Sequence, residues 1–158
     1  TSSVPNQSSK TTSSKYVNDV LGINSRLDEI QALFLRCKLP ALDADNQRRK
    51  EIAERYLSEI ENHKITLPAY DGSDNHVFHL FVIRVKDRLI FMEYLKDHGV
   101  GSLIHYPIPP HKQAALKELN PLSFPLCEQI HEEVVSIPMS PVMMDNEVSQ
   151  VISILNDY

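Results

Sequence analysis

Asn24, His105 and Tyr106 occupy the positions where this chain could do chemistry. Asn24 precedes a run with helical apolar spacing. Free N–H groups and the helix dipole at such a point make a ready site for a phosphate. The same residue also reads as a plain N-cap. Local sequence favours the cap, because Asn and Ser are common capping residues and the nearby Asp28 and Glu29 would repel an anion. His105 and Tyr106 stand where an expected strand meets the proline-rich segment Tyr106-Pro107-Ile108-Pro109-Pro110-His111. A junction of this kind holds side chains at the surface with little freedom. A histidine there could donate to a phosphate, a sugar hydroxyl or a carboxylate, and a tyrosine hydroxyl could do the same. Alternatively His105 bonds a backbone carbonyl and Tyr106 packs on the sheet; sequence leaves both readings open.

Lysine decides whether carbonyl chemistry is possible, since a Schiff-base lysine must be poised by burial or by neighbouring charge. The lysines of this chain are poor candidates. Lys38, Lys50, Lys96 and Lys117 lie on charged helix faces, Lys64 and Lys86 fall at element ends, and Lys10 and Lys15 border a polar N-terminal tail. Lys112 stands beside the proline loop, where a solvated amine is the expected state. The seven histidines suggest a metal, but His76 and His79 are three apart on an expected strand and would point to opposite faces. His105 and His111 could approach one another, yet no suitably spaced Cys or carboxylate completes a set, so no structural metal is expected. With four glycines, at positions 22, 72, 99 and 101, there is no glycine-rich phosphate loop, and no serine has the flanking glycines of a nucleophile elbow.

The elements that must position these residues follow from periodicity. Residues 1–14 are nearly all polar, with Val4 the one apolar aliphatic side chain besides proline, and are expected to be a disordered tail. From Ser25 a helix is predicted, with Leu27, Ile30, Phe34 and Cys37 on one face. Asn24 or Ser25 should cap it, with Asp28 completing a short capping box. Pro40 should kink or break this helix. Beyond it, Ile52, Ala53, Tyr56, Leu57 and Ile60 form a second stripe on a helix with one buried and one wet face. His76–Lys86 reads as a buried strand, followed by a helix capped by Asp87 that turns Leu89, Met92 and Leu95 inward and stops at Gly99. Val100–His105 is expected as a second strand and Val134–Ile137 as a third, ended by Pro138. Short helices are predicted over Lys112–Leu119 and Leu126–Glu133, and a closing helix from Asp145 carries Val148, Val151, Ile152 and Leu155. The expected fold is therefore α/β, in two α+β layers: a long kinked N-terminal helical segment over residues 15–61, then a small sheet of about three strands covered by helices over residues 62–158.

Composition narrows the partners. Sixteen basic against twenty-one acidic residues give a formal charge of -5, which offers no broad positive field for nucleic acid. Two widely separated cysteines, Cys37 and Cys127, fit neither a disulfide framework nor a paired-cysteine metal site, and a reducing cytoplasm is the simplest compartment. No apolar run reaches the roughly 18–20 residues of a membrane helix.

Taken together, Gly22-Ile23-Asn24-Ser25-Arg26-Leu27-Asp28-Glu29-Ile30-Gln31-Ala32, then Leu35 to Leu39, Arg49, Tyr56, His79-Leu80-Phe81-Val82-Ile83-Arg84, His105-Tyr106-Pro107 with Pro109 and His111, and Ser136-Ile137-Pro138-Met139 resemble the DegT/StrS sugar aminotransferases in order and spacing. The resemblance covers nearly all of residues 15–158. It implies the C-terminal portion of a fold-type I aminotransferase that uses pyridoxal 5'-phosphate. The implied partners are a nucleotide-linked keto-sugar, an amino-acid donor, usually glutamate, and a second subunit in a homodimer. The resemblance implies that Asn24 contacts the cofactor phosphate across the dimer, which favours the phosphate reading over the plain cap. It also implies that His105 and Tyr106 line the substrate side of the pocket. Arg26 lies in the same motif, where it meets a phosphate or pairs with Asp28, Glu29 or a partner chain. The family's large cofactor domain, with its Schiff-base lysine, is expected before Lys15, where this sequence has the polar tail. The expectation is a chain that binds cofactor poorly and does not turn over alone; a non-catalytic binding or assembly domain is the alternative.

Overall fold

The computed structural model describes Val17, Asp19 and residues 28–158. These residues fall in two compact units. The larger takes in the described residues of 24–105 and Glu132–Tyr158, and the smaller takes in Val17, Asp19 and Tyr106–His131.

In the larger unit, α1 (Glu29–Lys38) opens on Asp28, whose carboxylate accepts from the Ile30 N–H at 3.0 Å. The expected cap at Asn24 or Ser25 lies outside the described residues; the helix described begins at Glu29, where Asp28 satisfies an otherwise orphaned donor. Pro40 breaks the ladder as anticipated. A single 3-10 turn, Leu39–Ala41, separates α1 from α2 (Leu42–Glu59). The apolar face of α1 remains uncovered: Ile30, Leu33 and Phe34 are all exposed and the helix buries no side chain. On α2 the stripe behaves differently, with Ile52, Ala53 and Tyr56 fully buried, Ile60 nearly so and Leu57 packed at the margin.

Among the described residues the sheet has two antiparallel strands, β1 (Phe81–Arg84) and β2 (Val134–Ile137), paired Phe81 to Ile137 and Arg84 to Val134. Period two puts Phe81, Ile83, Val135 and Ile137 on one face, and all four are core residues. Each such side chain, fully buried, contributes roughly 1.5–3 kcal/mol. The mixed fold expected from sequence is present, with shorter strands than periodicity suggested. Thr66 adds one bridge outside Arg84, and Leu103 adds one outside Ser136.

The expected strand Val100–His105 shrinks to that single bridge because Gly99, at φ 75°, turns the chain before it and Pro107 denies a ladder bond after it. The strand expected to start at His76 begins only at Phe81. Phe78 sits at φ 47°, and its N–H donates to His76 Nδ1 at 3.0 Å. A local turn has replaced the ladder there.

Helix α3 (Arg88–Asp97) begins after Asp87, whose side chain makes no capping bond. It turns Phe91 and Leu95 inward, whereas Leu89, expected inside, is 74% exposed. The i, i+4 pair Phe91 and Leu95 sets the buried stripe, and Leu89 falls off it. Helix α5 (Asp145–Asn156) buries Val148, Val151, Ile152 and Leu155 as its spacing predicted. It runs alongside α2 and is fastened at both ends. Arg48 on α2 donates to Met143 O at 2.9 Å and meets Asp145 at 2.7 Å. At the far end, Asn156 accepts from Glu61 N and donates to Glu59 O, both at 2.9 Å.

The described residues of the smaller unit have little regular structure. Two 3-10 segments, Pro110–Lys112 and Ala114–Leu119, stand where a single helix over Lys112–Leu119 was expected. Gln113 is extended at ψ 142° and Leu116 is non-helical, so no α-helical ladder can run through. Helix α4 (Pro125–Glu133) follows, matching its predicted span to within a residue. Among the described residues no helix is long and apolar enough to cross a membrane.

Candidate functional site

His105 emerges from the Leu103 bridge. The Leu103 N–H donates to Ser136 O at 3.1 Å and the Ser136 N–H donates to Leu103 O at 2.7 Å. Two residues on, the His105 ring turns back to the same strand, its Nδ1 lying 2.9 Å from Ser136 Oγ. Ser136 is 4% exposed. It lies on the sheet face opposite the core, in register with Val82. The same face carries Arg84, whose Nε and Nη2 both reach Glu133 Oε2, at 2.9 and 2.6 Å. A buried hydroxyl and a charge-assisted pair thus give the second face of the sheet a polar character that its neighbours Val82 and Val134 lack.

The partner seen at His105 Nδ1 is thus a side-chain hydroxyl. In the sequence Ser136 opens the motif Ser136-Ile137-Pro138-Met139, which by itself assigns it no role. The signal was a hydroxyl inside the run Val134-Val135-Ser136-Ile137, where an apolar side chain would be the default.

Tyr106 is the first residue of the smaller unit's main segment. It is exposed, and its carbonyl accepts from His131 Nδ1 at 2.6 Å. Within that unit His111 is buried and its Nε2 lies 2.8 Å from Glu128 Oε1. The same carboxylate oxygen accepts from Phe124 N at 3.0 Å, and the His111 ring meets Phe124 edge-on at 4.9 Å. The Phe124 amide, with help from His111, holds the Glu128 carboxyl below the usual carboxylate range. Asn120 donates to His111 O at 2.8 Å, and Lys112 Nζ donates to Asn120 O and Leu122 O at 3.0 and 2.9 Å. Side chains, in place of a helical ladder, hold this segment in shape. Asn24 and Arg26, the remaining candidates, lie outside the described residues.

The described lysines are placed for solvent and structure. Lys50 pairs with Asp74, and that bond raises its pKa above the ordinary value. Lys64 donates to Tyr158 O at 2.6 Å. Lys112 is committed to two carbonyls, and Lys38, Lys86, Lys96 and Lys117 are exposed. A Schiff-base lysine needs the opposite surroundings, those that depress its pKa or desolvate it. Among the described residues, no group of three or more His, Cys, Asp or Glu side chains could hold one metal ion.

Known proteins place this geometry in context. The chain is 55% identical over 144 residues to a dTDP-3-amino-3,6-dideoxy-alpha-D-galactopyranose transaminase of Aneurinibacillus thermoaerophilus, matching 91% of this chain and 40% of that protein. It is 35% identical over 147 residues to a dTDP-3-amino-3,4,6-trideoxy-alpha-D-glucose transaminase of Streptomyces venezuelae, over 91% of this chain and 39% of that protein. Among solved structures, S. venezuelae DesV in complex with a ketimine intermediate superposes with a TM-score of 0.78 at 35% identity, covering 90% of this chain and 39% of DesV. NtdA from Bacillus subtilis with bound PMP superposes with a TM-score of 0.73 at 30% identity, covering 85% of this chain and 33% of NtdA. The chain thus spans about 40% of the length of the curated relatives it matches. The pattern of the DegT/DnrJ/EryC1/StrS aminotransferase family matches residues 3–156, and the chain belongs to that family.

Proposed function

We propose that this chain is the C-terminal part of a pyridoxal-phosphate-dependent aminotransferase that transfers an amino group, with glutamate as donor, to a nucleotide-linked keto-sugar. The observation that carries this reading is the 55% identity to a dTDP-sugar transaminase across 91% of the chain, which makes a dTDP-linked hexose the first substrate to test. Pyridoxal phosphate, when bound, supplies the electron sink that lets nitrogen pass between donor and keto carbon. The contribution of this chain is binding and orientation. His105, held at the sheet by Ser136, and the exposed Tyr106 contact the sugar nucleotide. Asn24 contacts the cofactor phosphate of a second subunit, and Arg26 meets a phosphate on the substrate. The amine that anchors the cofactor comes from outside the described residues, in keeping with the solvent and structural partners of their lysines. On this reading the chain alone binds cofactor poorly and does not turn over.

Incubation with pyridoxal phosphate followed by borohydride tests the division of labour. The expected result is no stoichiometric reduced adduct; one adduct per chain on a single lysine would overturn it. The substrate roles are tested in an enzyme carrying this chain fused to a cofactor domain of the family. There His105→Ala should raise KM for the dTDP-sugar at least about tenfold, the loss of a hydrogen bond to a charged or polar group. An unchanged KM would remove His105 from the site. The rival reading, a non-catalytic binding or assembly domain, draws on the uncovered apolar face of α1 at Ile30, Leu33 and Phe34. Recovery of transaminase activity when a separate cofactor domain is added would dismiss it.

A further inference from the structure

Ser136 is the one buried hydroxyl on β2, and its environment dictates which way it points its proton. Its backbone N–H and C=O are taken by Leu103, at 2.7 and 3.1 Å. The hydroxyl is then the polar group of this residue that still needs a partner, and at 4% exposure water is a poor one. Among the described residues, its hydrogen-bond partner is His105 Nδ1 at 2.9 Å. Two arrangements fit that distance. If Nδ1 carried the proton it would donate to Oγ, and the serine O–H would become a buried donor without an acceptor among those residues. If the serine O–H donates to Nδ1, each atom of the pair is satisfied, and a neutral imidazole must carry its proton on Nε2.

We propose that Ser136 is a positioning residue whose hydroxyl donates to His105 Nδ1, holding the imidazole as the Nε2–H tautomer. Any contact with substrate through the other ring nitrogen is then one in which His105 donates, suited to an oxygen acceptor such as a sugar hydroxyl, a keto oxygen or a phosphate oxygen. The inference rests on the reading of His105 as a substrate contact. Its structural half stands apart from that reading, because it concerns one hydrogen bond within this chain. Ser136 touches neither substrate nor cofactor in this scheme; it acts through His105 alone. The buried hydroxyl costs the sheet an apolar side chain at a position where Val134, Val135 and Ile137 show that one fits, so its presence calls for a partner such as this ring.

The test is long-range proton–nitrogen NMR correlation of the isotope-labelled chain, above the pH range in which histidine titrates. The expected result for the wild-type chain is a His105 ring with an unprotonated Nδ1 and a protonated Nε2. In Ser136→Ala both nitrogen signals should shift toward the averaged positions of a mixed tautomer. A proton on Nδ1, an averaged ring in the wild-type chain, or an unchanged spectrum in Ser136→Ala would overturn the proposal. The wild-type spectrum decides even if the variant does not fold. Should the tautomer be as expected while His105→Ala leaves KM unchanged in the fused enzyme, the substrate reading fails and the Ser136 bond stands.

Discussion

The phenol of Tyr56, in the last turn of α2, donates to the carbonyl of Pro138 at 2.9 Å, tying the helix to the residue that ends β2. The ring is fully buried and meets Phe81 edge-on at 5.1 Å, so one side chain joins helix, strand and strand exit. The hydroxyl is satisfied by a carbonyl that the sheet does not use, because Pro138 lies past the last pair of the ladder.

Tyr56→Phe should therefore keep the packing and lose the bond, at a cost of about 1 kcal/mol in urea unfolding at neutral pH. Burial pushes the Tyr56 phenol well above its ordinary value. For a group whose folded pKa is raised, the contribution to stability is complete below the unfolded value, about 10 for tyrosine, and is lost as pH rises beyond it toward the folded value. The advantage of wild type over Tyr56→Phe should therefore shrink above about pH 10. An advantage that stays constant into strong alkali would show that the ring ionises as if exposed.

Glu128 gives the opposite pH dependence. Its carboxylate is held below the usual range, first by the Phe124 amide and then by His111. A depressed carboxyl contributes stability above its unfolded pKa, roughly 4.3, and loses it as pH falls through the folded value. Glu128→Gln should therefore lose stability relative to wild type at neutral pH, with the two converging in acid. Unfolding followed by the signals of residues 106–131 from pH 3 to 7 checks this; a gap that widens in acid contradicts the assignment.

Two helices of the larger unit should respond very differently to truncation. Leu155→Ala on α5 removes a fully buried side chain and should cost about 2–5 kcal/mol. Phe34→Ala on α1 removes a larger side chain that is 65% exposed and should change stability by less than about 0.5 kcal/mol. Amides of α1 should exchange much faster than those of α5, since a ten-residue helix without packing is marginal in water. Protection of α1 equal to that of α5 would show that its apolar face is covered in solution.

Local pattern was enough for the parts of this protein that obey one period. The α5 stripe of Val148, Val151, Ile152 and Leu155, the α2 stripe through Tyr56, the break at Pro40 and the limits of β2 are all readable along the chain, because neighbours three, four or two residues apart determine them. The family was legible for a similar reason, as a series of short motifs in order. Tertiary structure alone decided the rest. Leu89 and Phe91 are both apolar, and only the position of the core selects Phe91. The strand expected from His76 stops short because Phe78 and His76 make a local turn that no alternation reveals. Ser136 and His105 are thirty-one residues apart, and Glu128 and His111 seventeen. No periodic rule couples such distances. Their pairing follows from the need to give every buried polar group a partner, and the partners become known only when the chain is folded.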